Sequence, residues 1–218
     1  NEVKNRSATV LALASNIVVT KATKFIRHDW KSLVEYFEKN ATDGLRSPFC
    51  LIRIGPSEPV ELEMASQYFT IPMEIFLVRN KEDCIKTTVL LGAIGTTQQV
   101  ASTIKMFVDQ VLFFQGEANP VRIVSIVNGT DITITPGITT VTGETCRSDI
   151  TEDVEVQIEK LRDEFRTGKT FTTFLIEEDP EQDLSDMNPV NEYYGSDNLP
   201  FFGGSVLIKP MVGSSAIP

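Results

Sequence analysis

The stretch YFTIPMEIFLV, residues 68 to 78, constrains the fold more than any other part of the chain. Phe69, Ile71, Met73, Ile75 and Leu77 fall on one side of an extended backbone, and Tyr68, Thr70, Glu74 and Phe76 on the other. The first set is wholly apolar, so one face of this strand is core. Pro72 has no amide hydrogen, which predicts an edge strand or pairing on one side only at that position.

A strand of this kind needs partners. Pro48 introduces FCLIRI, residues 49 to 54, a short β-branched apolar run that reads as a buried strand. GPSEPVELEMASQ at 55 to 67, with two prolines and three glutamates, reads as an acidic connection. VRIVSIV at 121 to 127 and DITITPGITTV at 131 to 141 alternate around Asn128-Gly129, the signature of a hairpin. FTTFLI at 171 to 176 and SVLIKPMV at 205 to 212 complete the strands.

Three segments carry helical periodicity. In 23 to 39, Phe25, Ile26, Trp30, Leu33, Val34 and Phe37 recur on one face, and the segment stops in Asn40-Ala-Thr-Asp-Gly44. In 96 to 114, Val100, Ile104, Phe107, Val108, Val111 and Leu112 keep helical spacing behind a cap at Thr96 or Thr97. In 151 to 166, Val154, Ile158, Leu161 and Phe165 make an apolar stripe on a charged surface. The fold expected is α+β: a mixed or mainly antiparallel sheet flanked by two or three helices, with an inserted β-ribbon and an acidic loop at 177 to 200. Residues 1–218 then form a single domain, with core elements at about 23–115 and 201–212 and an insertion or extension at about 121–200. There is no internal repeat.

The formal charge of -10 argues against broad phosphate neutralisation, which needs a clustered positive surface. Cys50, Cys84 and Cys146 are odd in number and widely spaced, so they suggest neither a disulfide framework nor a zinc site, and a reducing place of synthesis fits them. The apolar stretch Ala8 to Val19 is too short for a membrane span of roughly 20 residues and reads as a buried element rather than a signal sequence. The Asn-x-Ser/Thr matches at Asn5, Asn40 and Asn128 are not read as glycosylation sites in a chain this rich in Ser and Thr.

Gly168-Lys169-Thr170 has the last three letters of a phosphate loop, but Asp163 stands where the first glycine belongs. A helix precedes it and a strand follows, the reverse of the order a phosphate cradle needs, so Gly168 reads as a helix end. His28, the only histidine, lies beside Asp29 with no nucleophile elbow in the chain, and reads as a surface residue. Glu177, Glu178, Asp179, Glu181, Asp183 and Asp186 could gather around a cation but lack EF-hand spacing, so they read as a solvated loop that meets a partner. No catalytic, cofactor or metal residue is assigned.

KFIRHDWKSLVEYFEKN, SPFCLIRIG, YFTIPMEIFLVRN, QQVASTIKMFVDQVLFF and GGSVLIKPMV, taken in order, resemble the tail terminator and neck proteins of tailed bacteriophages. The resemblance implies a homo-oligomeric ring, a hexamer, that caps the tail tube and joins it to the head-side connector. It implies a non-enzymatic virion protein of the tail or neck, made in the host cytoplasm, with no cofactor, no membrane, and DNA only as passing cargo. The partners it implies are the tail tube, the sheath and the head-tail connector. Glu58, Glu61 and Glu63 would then face the lumen or the adjoining ring, and the loop with Asp183 and Asp186 would reach a neighbouring subunit, sheath or connector. Two other readings stand beside it: a different viral ring, such as a head completion or baseplate component, and a monomeric metal-dependent binding protein or hydrolase using Asp183 or Asp186.

Overall fold

The structure is a computed structural model that describes residues 1–13, 16–27, 29, 33, 48–60, 68–183 and 201–213. The described residues contain fifteen strands and two helices, so the chain is mostly β and the expected α+β layout of a sheet flanked by two or three helices is overturned. Contacts divide the chain into two compact units, 1–79 with 157–218, and 80–156, whereas the sequence placed the inserted part at about 121–200.

The discontinuous unit holds α1 (Glu2–Leu11), β1 (Ile17–Lys21), β2 (Phe49–Ile54), β3 (Glu58–Val60), β4 (Tyr68–Thr70) and β5 (Met73–Asn80). Its later elements are β12 (Leu175–Ile176), β13 (Glu181–Asp183), β14 (Phe201–Ile208) and β15 (Pro210–Gly213). They form a five-stranded sheet, β1-β2-β5-β14-β13, and a four-stranded sheet, β12-β15-β4-β3. FCLIRI is the strand expected, with Phe49 to Arg53 all buried. β5 is buried on both faces from Glu74 to Val78, which is why its side chains do not divide into a core face and a wet one.

The single strand expected over 68 to 78 is two. The chain leaves one sheet at Thr70 and enters the other at Met73, and Pro72 sits in the break, where its missing N–H interrupts no ladder. The run 205 to 212 breaks in the same way at Lys209, and the two breaks are tied because the Ile71 N–H donates to the Pro210 carbonyl at 3.0 Å. FTTFLI shrinks to the two residues of β12, and the acidic connection gains a short edge strand at Glu58–Val60. Of the helix expected over 23 to 39, residues 23 to 27 are not helical; the remainder, apart from Asp29 and Leu33, lies outside the described residues. Buried Arg53 fastens this segment through the carbonyls of Ile26 (2.8 Å) and Lys24 (3.2 Å) and an ion pair with Asp29.

The second unit contains β6 (Lys86–Leu91), β7 (Ile94–Val100), β8 (Val111–Phe114), β9 (Val121–Ile126), β10 (Asp131–Thr139) and β11 (Thr145–Arg147). These six strands close into a barrel in the order β10-β7-β6-β11-β8-β9, every neighbouring pair antiparallel. Val89, Val100, Leu112, Ile123, Ile132 and Ile134 are among the side chains that fill it. The hairpin around Asn128-Gly129 is present, but as two staves of the barrel rather than an appended ribbon.

The helix expected over 96 to 114 is replaced by β7, a turn-rich connection and β8. Its apolar residues match a helical period, yet Ile104 is 78% exposed while Gln98 is fully buried, the reverse of a helical face. Lys105 and Asp109 have φ of 68° and 70°, left-handed values at which a helix cannot continue. β6, a segment to which no element is assigned from the sequence, pairs with β7 on one side and β11 on the other.

α2 (Ile150–Glu164) matches the expected span, with Val154, Ile158, Leu161 and Phe165 all fully buried. Asp149 caps it, accepting from the N–H groups of Thr151 and Glu152 at 2.9 and 3.4 Å. One turn on, buried Asp153 accepts from Gln110 Nε2 at 3.1 and 3.0 Å and from Ser148 Oγ at 2.9 Å. Asp153→Ala leaves these buried donors unpaired, and should cost about 2 to 5 kcal/mol in denaturant unfolding. Ser148→Ala should cost about 1 kcal/mol.

α1 is held by charge. Glu2 accepts from the N–H groups of Thr172 and Thr173, both at 3.0 Å, from Thr173 Oγ1 at 2.8 Å and from Arg6. Arg6 also donates to Glu164 at 2.7 Å and stacks over Phe171. The bond from the Thr172 amide, with those from Thr173 and Arg6, lowers the Glu2 carboxyl from 4.5 to about 2. A lowered folded-state value stabilises above the unfolded value and is lost as pH falls through the folded one. Melting temperature should therefore fall between pH 4.5 and about 2, and Glu2→Gln should flatten that part of the profile.

Candidate functional site: the free end of the barrel

Antiparallel staves sort the barrel's connections onto two ends. The chain arrives at β6 and departs after β11 at one end, where Lys86 lies opposite Arg147. That end also carries the 101–110 and 127–130 connections. The other end carries 92–93, 115–120 and 140–144, and neither chain connection.

This free end is apolar. Leu90, Leu91, Ile94 and Val141 are 47, 60, 87 and 61% exposed. No lysine or arginine occurs in 90–95, 115–120 or 136–144. Its glutamates, Glu117 and Glu144, accept from the Thr139 and Val141 N–H groups at 3.2 and 2.8 Å. Isolated exposed apolar residues are ordinary, but a group of them on bonded neighbouring loops marks a contact surface. Ile104, Val108 and Val127 are also exposed, on the connections at the opposite end.

The free end is built to hold its shape. Thr140 N–H donates to the Ala93 carbonyl at 2.9 Å, Ala93 N–H to Thr140 Oγ1 at 3.2 Å, and Gly92 N–H to Thr142 Oγ1 at 3.0 Å. Thr140 Oγ1 continues inward to the buried Gln98 at 2.6 Å, and Gln98 returns a bond to the Gly95 carbonyl. A side chain at Gly92 would lie 2.7 Å from the Thr140 carbonyl oxygen, so glycine permits this close approach. The residues are thus presented by a rigid scaffold, as a docking surface requires.

The sequence had pointed elsewhere. Glu58 is exposed on β3, opposite Thr70, while Asp183 is half-buried on β13, opposite Ser205, in the other sheet. Glu61, Glu63, Asp186 and His28 lie outside the described residues. Gly168 has φ +85° in the turn beyond α2, and Lys169 Nζ lies 3.9 Å from Glu164, in keeping with a helix end. Among the described residues no group of three or more His, Cys, Asp or Glu side chains could hold a metal ion, and no helix is long and apolar enough to cross a membrane. Cys50, Cys84 and Cys146 form no disulfide; burial raises the thiols of Cys50 and Cys146, the latter to about 12.

Comparison with protein families finds no match to this chain, and comparison with characterised proteins finds none either.

Charge at the free end should leave the barrel folded. Leu91→Glu with Ile94→Glu places two carboxylates on exposed positions, and its unfolding free energy should stay within about 0.5 kcal/mol of wild type per site.

Proposed function

We propose that the protein is a structural component that works by docking the free end of its barrel onto protein, in the tail or neck of a tailed bacteriophage. There it would serve as a terminator ring, capping the tail tube and joining it to the connector. The observation that carries the docking role is the rigid, apolar, cation-free surface of Leu90, Leu91, Ile94 and Val141. The phage setting rests on the resemblance in the segments 47–55, 68–80 and 203–212, since 98 to 114 is not a helix, residues 24 to 27 are not helical, and 28 to 40, apart from Asp29 and Leu33, lie outside the described residues. A net charge of -10 suits a channel wall past which DNA moves without adhering.

Light scattering with negative-stain imaging tests this reading. Wild-type protein should form closed rings, alone or on purified tail tubes, and the Leu91→Glu/Ile94→Glu variant should stay monomeric and bare at unchanged melting temperature. A wild-type monomer that ignores tubes, or a variant that assembles as wild type does, would sink the proposal. In infected cells, loss of the protein should give tails of irregular length.

A further inference from the structure

We propose that Asn128 is a self-modification site, at which the folded turn promotes conversion of the side-chain amide to aspartate and isoaspartate. Asn128-Gly129 is the only Asn-Gly pair in the chain, and both residues are exposed to water. Glycine matters because the attacking atom is its own backbone nitrogen. Nothing lies within 4 Å of where a Gly129 Cβ would be, so the residue is uncrowded on that side.

The carbonyl under attack is prepared. Asn128 Oδ1 accepts three hydrogen bonds, from Thr130 N–H at 2.7 Å, Asp131 N–H at 2.8 Å and Thr130 Oγ1 at 3.0 Å. Negative charge develops on that oxygen when Cγ becomes tetrahedral, and donors already aimed at it act as an oxyanion hole. The departing nitrogen, Nδ2, donates to the Asp131 carboxylate.

The step balances without any oxidant or cofactor. Gly129 N gives its proton to solvent base and bonds to Cγ; the Cγ–Nδ2 bond breaks, and the nitrogen takes a proton from water and leaves as ammonia. Water then opens the five-membered imide. Opening at Cγ leaves aspartate, and opening at the main-chain carbonyl leaves isoaspartate. The net change is amide plus water to carboxylic acid plus ammonia.

The consequence is local loosening. A new carboxylate replaces the amide that donated to Asp131, so attraction becomes like-charge repulsion. Isoaspartate also lengthens the main chain by one carbon and turns the Asn128 main-chain carbonyl, one of two that hold Thr103, into a pendant carboxylate. The Asn128 carbonyl accepts from Thr103 Oγ1 at 2.8 Å and the Gly129 carbonyl from Thr103 N–H at 3.0 Å. The 101–110 connection is thereby uncoupled from the hairpin.

Purified full-length protein should be incubated at mildly alkaline pH, folded and in urea, and mapped by peptide mass spectrometry with isoaspartate detection. Residue 128 should gain the deamidation mass in the folded protein at least as fast as in urea, ahead of every other asparagine. Thr130→Val, which deletes one donor, should slow the folded reaction several-fold and leave the rate in urea unchanged. Gly129→Ala, which keeps the attacking nitrogen but crowds it, should slow the reaction about tenfold while melting as wild type, since Gly129 does not occupy the left-handed region. Slower conversion in the folded protein than in urea, or a Thr130→Val variant as fast as wild type when folded, would overturn the proposal.

Discussion

A buried carboxyl group has to be hydrogen-bonded, and at Asp153 that requirement fixes one end of the barrel. Its two oxygens accept from Gln110 and Ser148, and each of these is committed a second time. Gln110 Oε1 accepts from the Phe107 N–H, and Ser148 Oγ from the Ile85 N–H. One side chain therefore gathers the segment that leads into β6, the connection before β8, the departure from β11 and the first turn of α2. The opposite end has no such hub; it is held by the short bonds between the 92–93 and 140–144 loops. The two ends therefore differ in how they are held, one around a buried carboxylate and the other by bonds between neighbouring loops, while exposed apolar side chains occur at both.

How legible this was depends on the range of the interactions involved. FCLIRI, the Asn128-Gly129 hairpin and α2 follow from neighbours within a few residues, and their periods survive in the structure. The 96 to 114 segment does not, because its partners are remote: β7 pairs with β6 and β10, and β8 with β9 and β11. Closure of a barrel decides the state of such a segment, and a local apolar period of three and four cannot report it. Of the residues that turn left-handed, Lys105 is of a type that gives no warning, and Asp109, of a type that tolerates the conformation, gives only a weak one. Pro72 did carry a signal, since it forbade an uninterrupted central strand, but only the pairing with β15 shows that the chain changes sheets there.

The candidate site was hidden for a different reason. Carboxylates draw attention in a sequence, so Glu58, Glu61, Glu63, Asp183 and Asp186 are natural candidates, whereas LLGAI at 90 to 94 carries no charged or reactive side chain. The available signal was an apolar run ending at Gly92 without strand alternation. What makes it a surface is the pair of bulged registers around it, between Val89 and Leu91 in β6 and between Thr133 and Ile138 in β10. A bulge turns side chains away from the pleat that would have buried them, so Leu91 and Ile94 emerge at the rim while Val89 remains inside.

Charge supports the proposed contact at this rim over contact elsewhere. A body of net charge -10 repels another like it over roughly 8 Å at physiological salt. Association then favours surfaces where carboxylates are absent or already bound. At the free end Glu117 and Glu144 are turned onto backbone amides, and no cation is present to attract acidic surface indiscriminately. Removing Leu91 and Ile94 from water gives the attractive term, and the acidic remainder of the molecule penalises misplaced contacts. Because the loops are already bonded to one another, little ordering is left for binding to impose, and the apolar area gained on contact is opposed by a smaller entropy cost.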